Sequence, residues 1–170
     1  MAIFPGSAIP SAVSDYTIDQ SLRFNDGDSA YLSRTPSSSG DKKTWTYSIW
    51  FKLGSSNSFK LFDAATASVN DNFTTLTVNS SQIEFYWKHS GSARASVLTE
   101  QVLRDVSAWY HLLLVVDTDE TTDSDRVKFY LNGSQITTFS GTPTWPGSGQ
   151  DTYMNDSGKT LDLFRRLSDG

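Results

Sequence analysis

Hydrolytic chemistry needs two carboxylates held a few ångströms apart, or a nucleophile with a base beside it. The chain offers three glutamates, Glu84, Glu100 and Glu120, scattered along its length, and it has no cysteine and no Gly-x-Ser-x-Gly elbow. Its two histidines fall in different settings. His89 lies in a turn, and His111 heads the apolar run Leu112–Val116. Both are read as structural or solvated. No catalytic residue is assigned, and the chain is read as not an enzyme.

Asp117, Asp119, Asp123 and Asp125 form an alternating acidic loop of the hard oxygen donors that calcium takes. As an EF-hand the loop fails, because Thr122 stands at the glycine position and Lys128 at the bidentate glutamate. Aspartate also dominates ordinary solvated turns. The assignment is therefore no metal and no cofactor, with these four as the calcium candidates. Asp63 and Asn70-Asp71-Asn72 are lesser ones.

Trp50, Tyr86 and Tyr130 sit on the polar-facing side of their segments, opposite the apolar alternation. If their strands share one sheet, they form an aromatic surface beside Glu84, Lys88 and Lys128. Such a surface stacks on sugar rings or anchors a protein interface; covered by loops, it is instead a second layer of core. Trp145, in the loop Gly141-Thr-Pro-Thr-Trp-Pro-Gly147, carries the same alternatives. The Asn-x-Ser/Thr matches at Asn72, Asn79 and Asn132 fall in turns.

The elements that must position these residues are strands. Leu112–Val116 is apolar on both faces, as a central strand requires. Val127, Phe129 and Leu131 alternate within Arg126–Leu131. Asn132-Gly133, the dipeptide suited to a type I′ turn, then leads into a returning strand over Ser134–Phe139. The clearest alternation is Thr44–Leu53, with Trp45, Tyr47, Ile49, Phe51 and Leu53 on one face. Phe59–Phe62, Phe73–Val78, Gln82–Lys88 and Ala95–Thr99 complete the series, with a tight connection at Asn79-Ser80-Ser81. Gln101–Ser107 suits one helical turn, and Leu161–Leu167 is the last strand of a loop-rich tail. Ser21–Leu32 reads as a hairpin turning at Asp26-Gly27. Short strands with polar turns and no long helical period predict an all-β, antiparallel β-sandwich or jelly roll.

Residues 1–20 carry Pro5 and Pro10 among small residues and read as an extended arm. Ile3, Phe4, Ile9 and Val13 are too apolar for a spacer and suit docking onto a partner. The 170 residues suit one domain, with 37% hydrophobic and 13% aromatic residues to build its core. The net charge of −5 and the lack of a basic cluster exclude nucleic acid as a partner. No segment reaches membrane-spanning length. The first residues lack the basic start and apolar core of a secretory signal, so cell lysis or assembly into a particle is the expected route out of a cell.

Ser21-Leu-Arg-Phe24, the Trp45–Phe51 strand, Ala108-Trp-Tyr-His-Leu-Leu-Leu-Val-Val-Asp117 and Val127-Lys-Phe-Tyr-Leu-Asn-Gly133 occur in an order that resembles the laminin G-like, concanavalin A-like jelly-roll superfamily. The phrasing of Tyr16–Phe24, Tyr31–Pro36 and Ser107–His111 is similar to structural proteins of tailed phages, which carry such a domain in tail fibres and other appendages. The resemblance spans residues 16–140 and implies an arm over 1–20 and a jelly-roll domain over 21–170.

It further implies a non-enzymatic virion structural protein on the particle surface or tail, serving assembly and host attachment. Its partners would be other virion proteins, further copies of itself and a host-surface glycan. The alternatives are a carbohydrate-binding module for such glycans and a capsid decoration protein. The glucanases of the superfamily carry Glu-x-Asp-x-x-Glu along one strand, and this chain has no such run. A family strand of the form Tyr-Phe-Asp-Gly-x-φ-x-Glu-φ closes the sheet after a segment for which Leu163-Phe-Arg-Arg166 stands here. Its absence implies either a longer chain, the preferred reading, or a strand added by another subunit.

Overall fold

Side chains at every second position turn inward from two antiparallel sheets and fill the space between them. The computed structural model describes residues 21–24, 30–53, 58–66 and 71–164. Its strands are β1 (Leu32–Arg34), β2 (Thr44–Phe51), β3 (Phe59–Ala65), β4 (Phe73–Asn79) and β5 (Gln82–His89). They continue with β6 (Ser92–Val102), β7 (Tyr110–Asp117), β8 (Val127–Leu131), β9 (Ser134–Ile136) and β10 (Thr160–Leu163). One sheet has six strands in the order β1-β10-β3-β4-β5-β6; the other has four, β2-β7-β8-β9.

Local chemistry sets the connections. Asn132 and Gly133 have φ of 51° and 82°, the two positive angles of a type I′ turn joining β8 to β9. Ser80-Ser81 and Ser90-Gly91 also have positive φ at both residues and make the β4–β5 and β5–β6 turns. The acidic connection between β7 and β8 contains a single 3-10 turn, Asp123–Asp125.

The core lies between the layers. Trp45 and Tyr47 of β2 pack on Phe62 of β3 at ring separations of 5.9 and 4.9 Å. The Tyr47 hydroxyl donates to the Leu61 carbonyl at 3.3 Å, and burial raises its pKa well above the ordinary phenol value. Leu112, Leu114 and Val116 of β7 and Phe129 of β8 are buried, as are Phe85 and Trp87 of β5. The segment after β9 runs along the β6 edge and closes that side of the sandwich, with Phe139 bridging to Thr99 and Thr144 to Ser96.

Four expectations need correction. Leu32–Arg34 does not pair within an opening hairpin but lies beside β10, with Leu32 opposite Leu163, so a contact across the whole chain replaced a local one. Asp26-Gly27 lies outside the described residues. Gln101–Ser107 contains no helical turn: β6 runs on to Val102, and Asp105 then holds a turn by accepting from the Ser107 N–H and hydroxyl at 2.8 and 2.7 Å. The hairpin strand β9 ends at Ile136, after which Thr138 and Phe139 turn to β6. Finally, β10 spans Thr160–Leu163; Phe164 has a positive φ of 61°, and residues 165–167 lie outside the description, as does the arm with Ile3, Phe4, Ile9 and Val13.

Candidate binding face

The outer face of the four-stranded sheet is built by the residues that alternate away from the core. In register across β2 and β7, Trp50 stands opposite His111, Ser48 opposite Leu113 and Thr46 opposite Val115. On β8, Tyr130 continues the Leu113 row and Lys128 the Val115 row. Trp50 is 54% exposed, and its ring stacks on His111 at 4.9 Å and 26°.

His111 is itself fixed from two sides. Its ring Nε2 is hydrogen-bonded to Ser48 Oγ at 3.0 Å, and its backbone N–H donates to Asn132 Oδ1 at 2.9 Å. One step beyond the paired residues, Trp109 is 50% exposed, with Lys52 Nζ 5.4 Å from its ring centre. Two tryptophans therefore share one open surface, each braced by a neighbour, with Ser48, Tyr130 and Gln135 offering polar atoms alongside.

Trp50 and Tyr130 thus come together as the sequence suggests, but Tyr86 does not join them. It belongs to β5 of the other sheet, where it faces outward and packs 5.6 Å from Phe73. Alternation tells which side of its own strand a residue takes, not which sheet the strand enters. Trp145 is also elsewhere: it packs edge-on against Phe139 at 5.2 Å and leans on the core, because its loop runs along the β6 edge. Trp109 and His111 are the residues sequence reasoning missed for this face. The buried Tyr110 between them was the signal, since its neighbours must point outward.

The acidic loop spreads its carboxylates among separate partners. Asp117 Oδ1 accepts from the Thr44 hydroxyl and the Asp119 N–H, Asp119 pairs with Lys43 at 3.6 Å, and Asp125 with Lys128 at 3.6 Å. Asp123 pairs with Arg126 at 2.6 Å. Among the described residues, no three His, Cys, Asp or Glu side chains gather as a metal site. Asp63 pairs with Lys60 on the six-stranded sheet.

The three glutamates are likewise dispersed. Glu84, on β5, accepts from Asn79 at 2.9 Å; Glu100 is exposed on β6; Glu120 lies 3.7 Å from Lys128 beyond β7. His89 hydrogen-bonds the Tyr153 hydroxyl, which in turn donates to Asn72 at 2.7 Å, a contact that ties the β5–β6 turn to the late loop.

A family model described as the concanavalin A-like lectin/glucanases superfamily, of laminin G type, matches residues 25–163. The chain belongs to this superfamily. Among solved structures, this concanavalin A-like domain is similar to the native heptameric SAP-like pentraxin from Limulus polyphemus, with TM-score 0.51 and 18% identity over 78% of this chain. It is also similar to domains LG4-5 of the mouse laminin alpha1 chain, with TM-score 0.53 and 13% identity over the same share. The matches span 56% of the pentraxin chain and 31% of the laminin chain. At such identities the likeness is one of fold. No curated protein sequence matches the domain.

Proposed function

We propose that the domain is a non-catalytic attachment module of a phage-type virion appendage, and that it contacts a host-surface glycan through the outer face of the four-stranded sheet. One observation carries the reading: Trp50 on β2 and Trp109 just before β7, each half-exposed, share that face. Aromatic rings present flat apolar area, and rings already braced lose little freedom when a ligand arrives. The intervening hydroxyl and amide groups suit sugar hydroxyls.

The virion setting draws on the tailed-phage phrasing of Tyr16–Phe24, Tyr31–Pro36 and Ser107–His111. Other virion proteins and further copies of the chain are the partners it implies. The non-catalytic reading draws on the dispersal of Glu84, Glu100 and Glu120 over β5, β6 and the loop between β7 and β8. The carboxylates of the loop between β7 and β8 are engaged by cations and hydroxyls, and the reading invokes no cofactor.

A glycan array probed with the full chain, followed by titration of the strongest sugars, tests the reading. Trp50→Ala and Trp109→Ala should each weaken binding by about tenfold or more, the scale of an interface anchor, with circular dichroism unchanged. Binding that ignores both substitutions, or no binding at millimolar sugar, would remove the glycan from the proposal. Antibody labelling of purified particles checks the setting; label confined to unassembled protein would count against a virion role.

A further inference from the structure

On the inward face of the six-stranded sheet, one row of side chains runs from the core to a cation. Ala64 of β3 stands opposite Leu161 of β10, and Leu161 stands opposite Arg34 of β1, so the three share a face. Phe62, two residues from Ala64, meets Trp45 and Tyr47 of the other sheet and marks that face as the inner one.

A cavity of about 140 Å³ opens on this row. Ala64, Leu161 and Pro36 make its apolar side, and its walls come from two loops, 35–41 and 152–159. Hydrogen bonds tie the loops to each other. The Gly40 N–H donates to the Asn155 carbonyl at 2.9 Å, Asn155 Nδ2 to the Asp41 carbonyl at 2.9 Å, and the Ser157 N–H to Ser39 Oγ at 3.0 Å. The approach is close: a Cβ at position 40 would lie 3.4 Å from that of Asn155.

Two cations line the recess, Arg34 and Lys159. Elsewhere lysines sit against carboxylates, Lys42 at 2.9 Å from Asp151, Lys88 at 3.4 Å from Asp71 and Lys128 at 3.6 Å from Asp125. Among the described residues, no carboxylate comes as near to Arg34 or Lys159. Lys159 Nζ donates to Thr66 Oγ1 at 3.4 Å and stands 4.5 Å from the centre of the Tyr153 ring, so its ammonium keeps a donor to spare. None of the five N–H groups of Arg34 is taken by a described residue. The Tyr153 hydroxyl, by contrast, is committed to His89 and Asn72, which fixes its ring as a wall.

Charge and size then select the ligand. In a chain of net charge −5, this recess sets two positive charges against one carboxylate, Asp156, whose Oδ1 accepts from the Gly158 N–H at 2.9 Å. The surplus of one suits a single negative charge and disfavours a dianion. A volume of about 140 Å³ corresponds to about four or five water molecules at roughly 30 Å³ each, far below a drug-sized pocket. A guanidinium fork matches a carboxylate in two parallel hydrogen bonds, and an apolar side favours a short carbon stem behind it.

We propose that the recess between loops 35–41 and 152–159 binds a small monocarboxylate, held by Arg34 and Lys159 with its stem on Leu161 and Ala64. Ser38 and Asn155 offer polar atoms to a second oxygen on that stem. The site lies by Asp41, before the start of β2, whereas Trp50 is near the other end of that strand and on the outer face. The recess and the tryptophan face are therefore separate sites, and the recess does not depend on the glycan reading.

Backbone amide shifts of the full chain, followed by NMR during titration with sodium propionate, sodium phosphate and sodium chloride at equal ionic strength and pH 7, test this. Propionate should move the amides of Gly40, Asn155 and Lys159 with saturation in the millimolar range, and phosphate should bind at least fivefold more weakly. Arg34→Gln and Lys159→Gln should each weaken propionate binding tenfold or more while the remaining amide shifts stay in place. Asp156→Asn keeps the acceptor for Gly158 but removes the negative charge, so it should narrow the gap between phosphate and propionate. Shifts that grow linearly without saturating, as chloride should give, would overturn the proposal. So would phosphate binding as tightly as propionate, indifference to both glutamine substitutions, or movement of the Trp50 and Trp109 indoles while Gly40 and Asn155 stay still.

Discussion

Arg126 shows how a single buried cation can hold two loops. Its Nε donates to the Glu120 carbonyl at 2.9 Å, one terminal nitrogen to Pro146 at 2.8 Å and the other to Thr121 at 3.2 Å. The Asp123 carboxylate supplies the counter-charge at 2.6 Å. A buried guanidinium is tolerated only with this degree of pairing. Arg126→Met keeps the stem but leaves three carbonyls without their donor, so about 2–4 kcal/mol of stability should be lost. Urea unfolding checks this, and a loss under about 0.5 kcal/mol, the range of ordinary surface changes, would mean that the loops hold without it. Little of this was legible beforehand. The sequence shows Arg126 as the polar start of an alternating strand, and its acceptors are backbone carbonyls, which residue types do not advertise. Asn132-Gly133 is the opposite case, since its turn follows from torsional freedom within two residues.

At the scale of elements, β2 begins where Asp41 takes hold of the chain. Its Oδ1 accepts from the Lys43 and Thr44 N–H groups at 2.8 and 2.9 Å. Those two donors, Thr44 first, favour the ionised carboxylate and draw its pKa below the ordinary value. A carboxyl whose pKa falls on folding adds stability that is present above the unfolded value, about 3.9, and is lost as pH falls through the lower folded value. Asp41→Asn keeps an acceptor oxygen but cannot titrate. The wild type should therefore be the more stable above about pH 4, with the two curves converging below it. Thermal unfolding from pH 2 to 7 measures this, and parallel curves would deny Asp41 the role. The alternation of β2, β5, β7 and β8 could be read directly because burial repeats every second residue. Which sheet each strand joins could not, and so Tyr86 was grouped with Trp50. The pairing of β1 with β10 was hidden for the same reason, being set by packing across the full chain.

For the whole molecule, the question is whether the sheets melt together or apart. Each has its own hydrogen-bonded ladder, and backbone pairing alone would let one open while the other stayed closed. The join is made by side chains, and Phe62 is central to it: fully buried on β3, it touches Trp45 and Tyr47 of the opposite sheet. Removing its ring opens a cavity between the layers, and Phe62→Ala should lower stability by about 3–5 kcal/mol. If the layers form one cooperative unit, the slowest-exchanging amides of β4 and β7 should lose the same free energy of protection, although β7 lies in the other sheet. Unequal losses, with β4 weakened and β7 spared, would show that the four-stranded sheet stands by itself. The first outcome is expected because buried side chains from both layers form one continuous cluster, from Leu61 and Phe85 on one side to Leu114 and Phe129 on the other. An attachment face with tryptophans on one layer would then inherit its rigidity from the layer behind it.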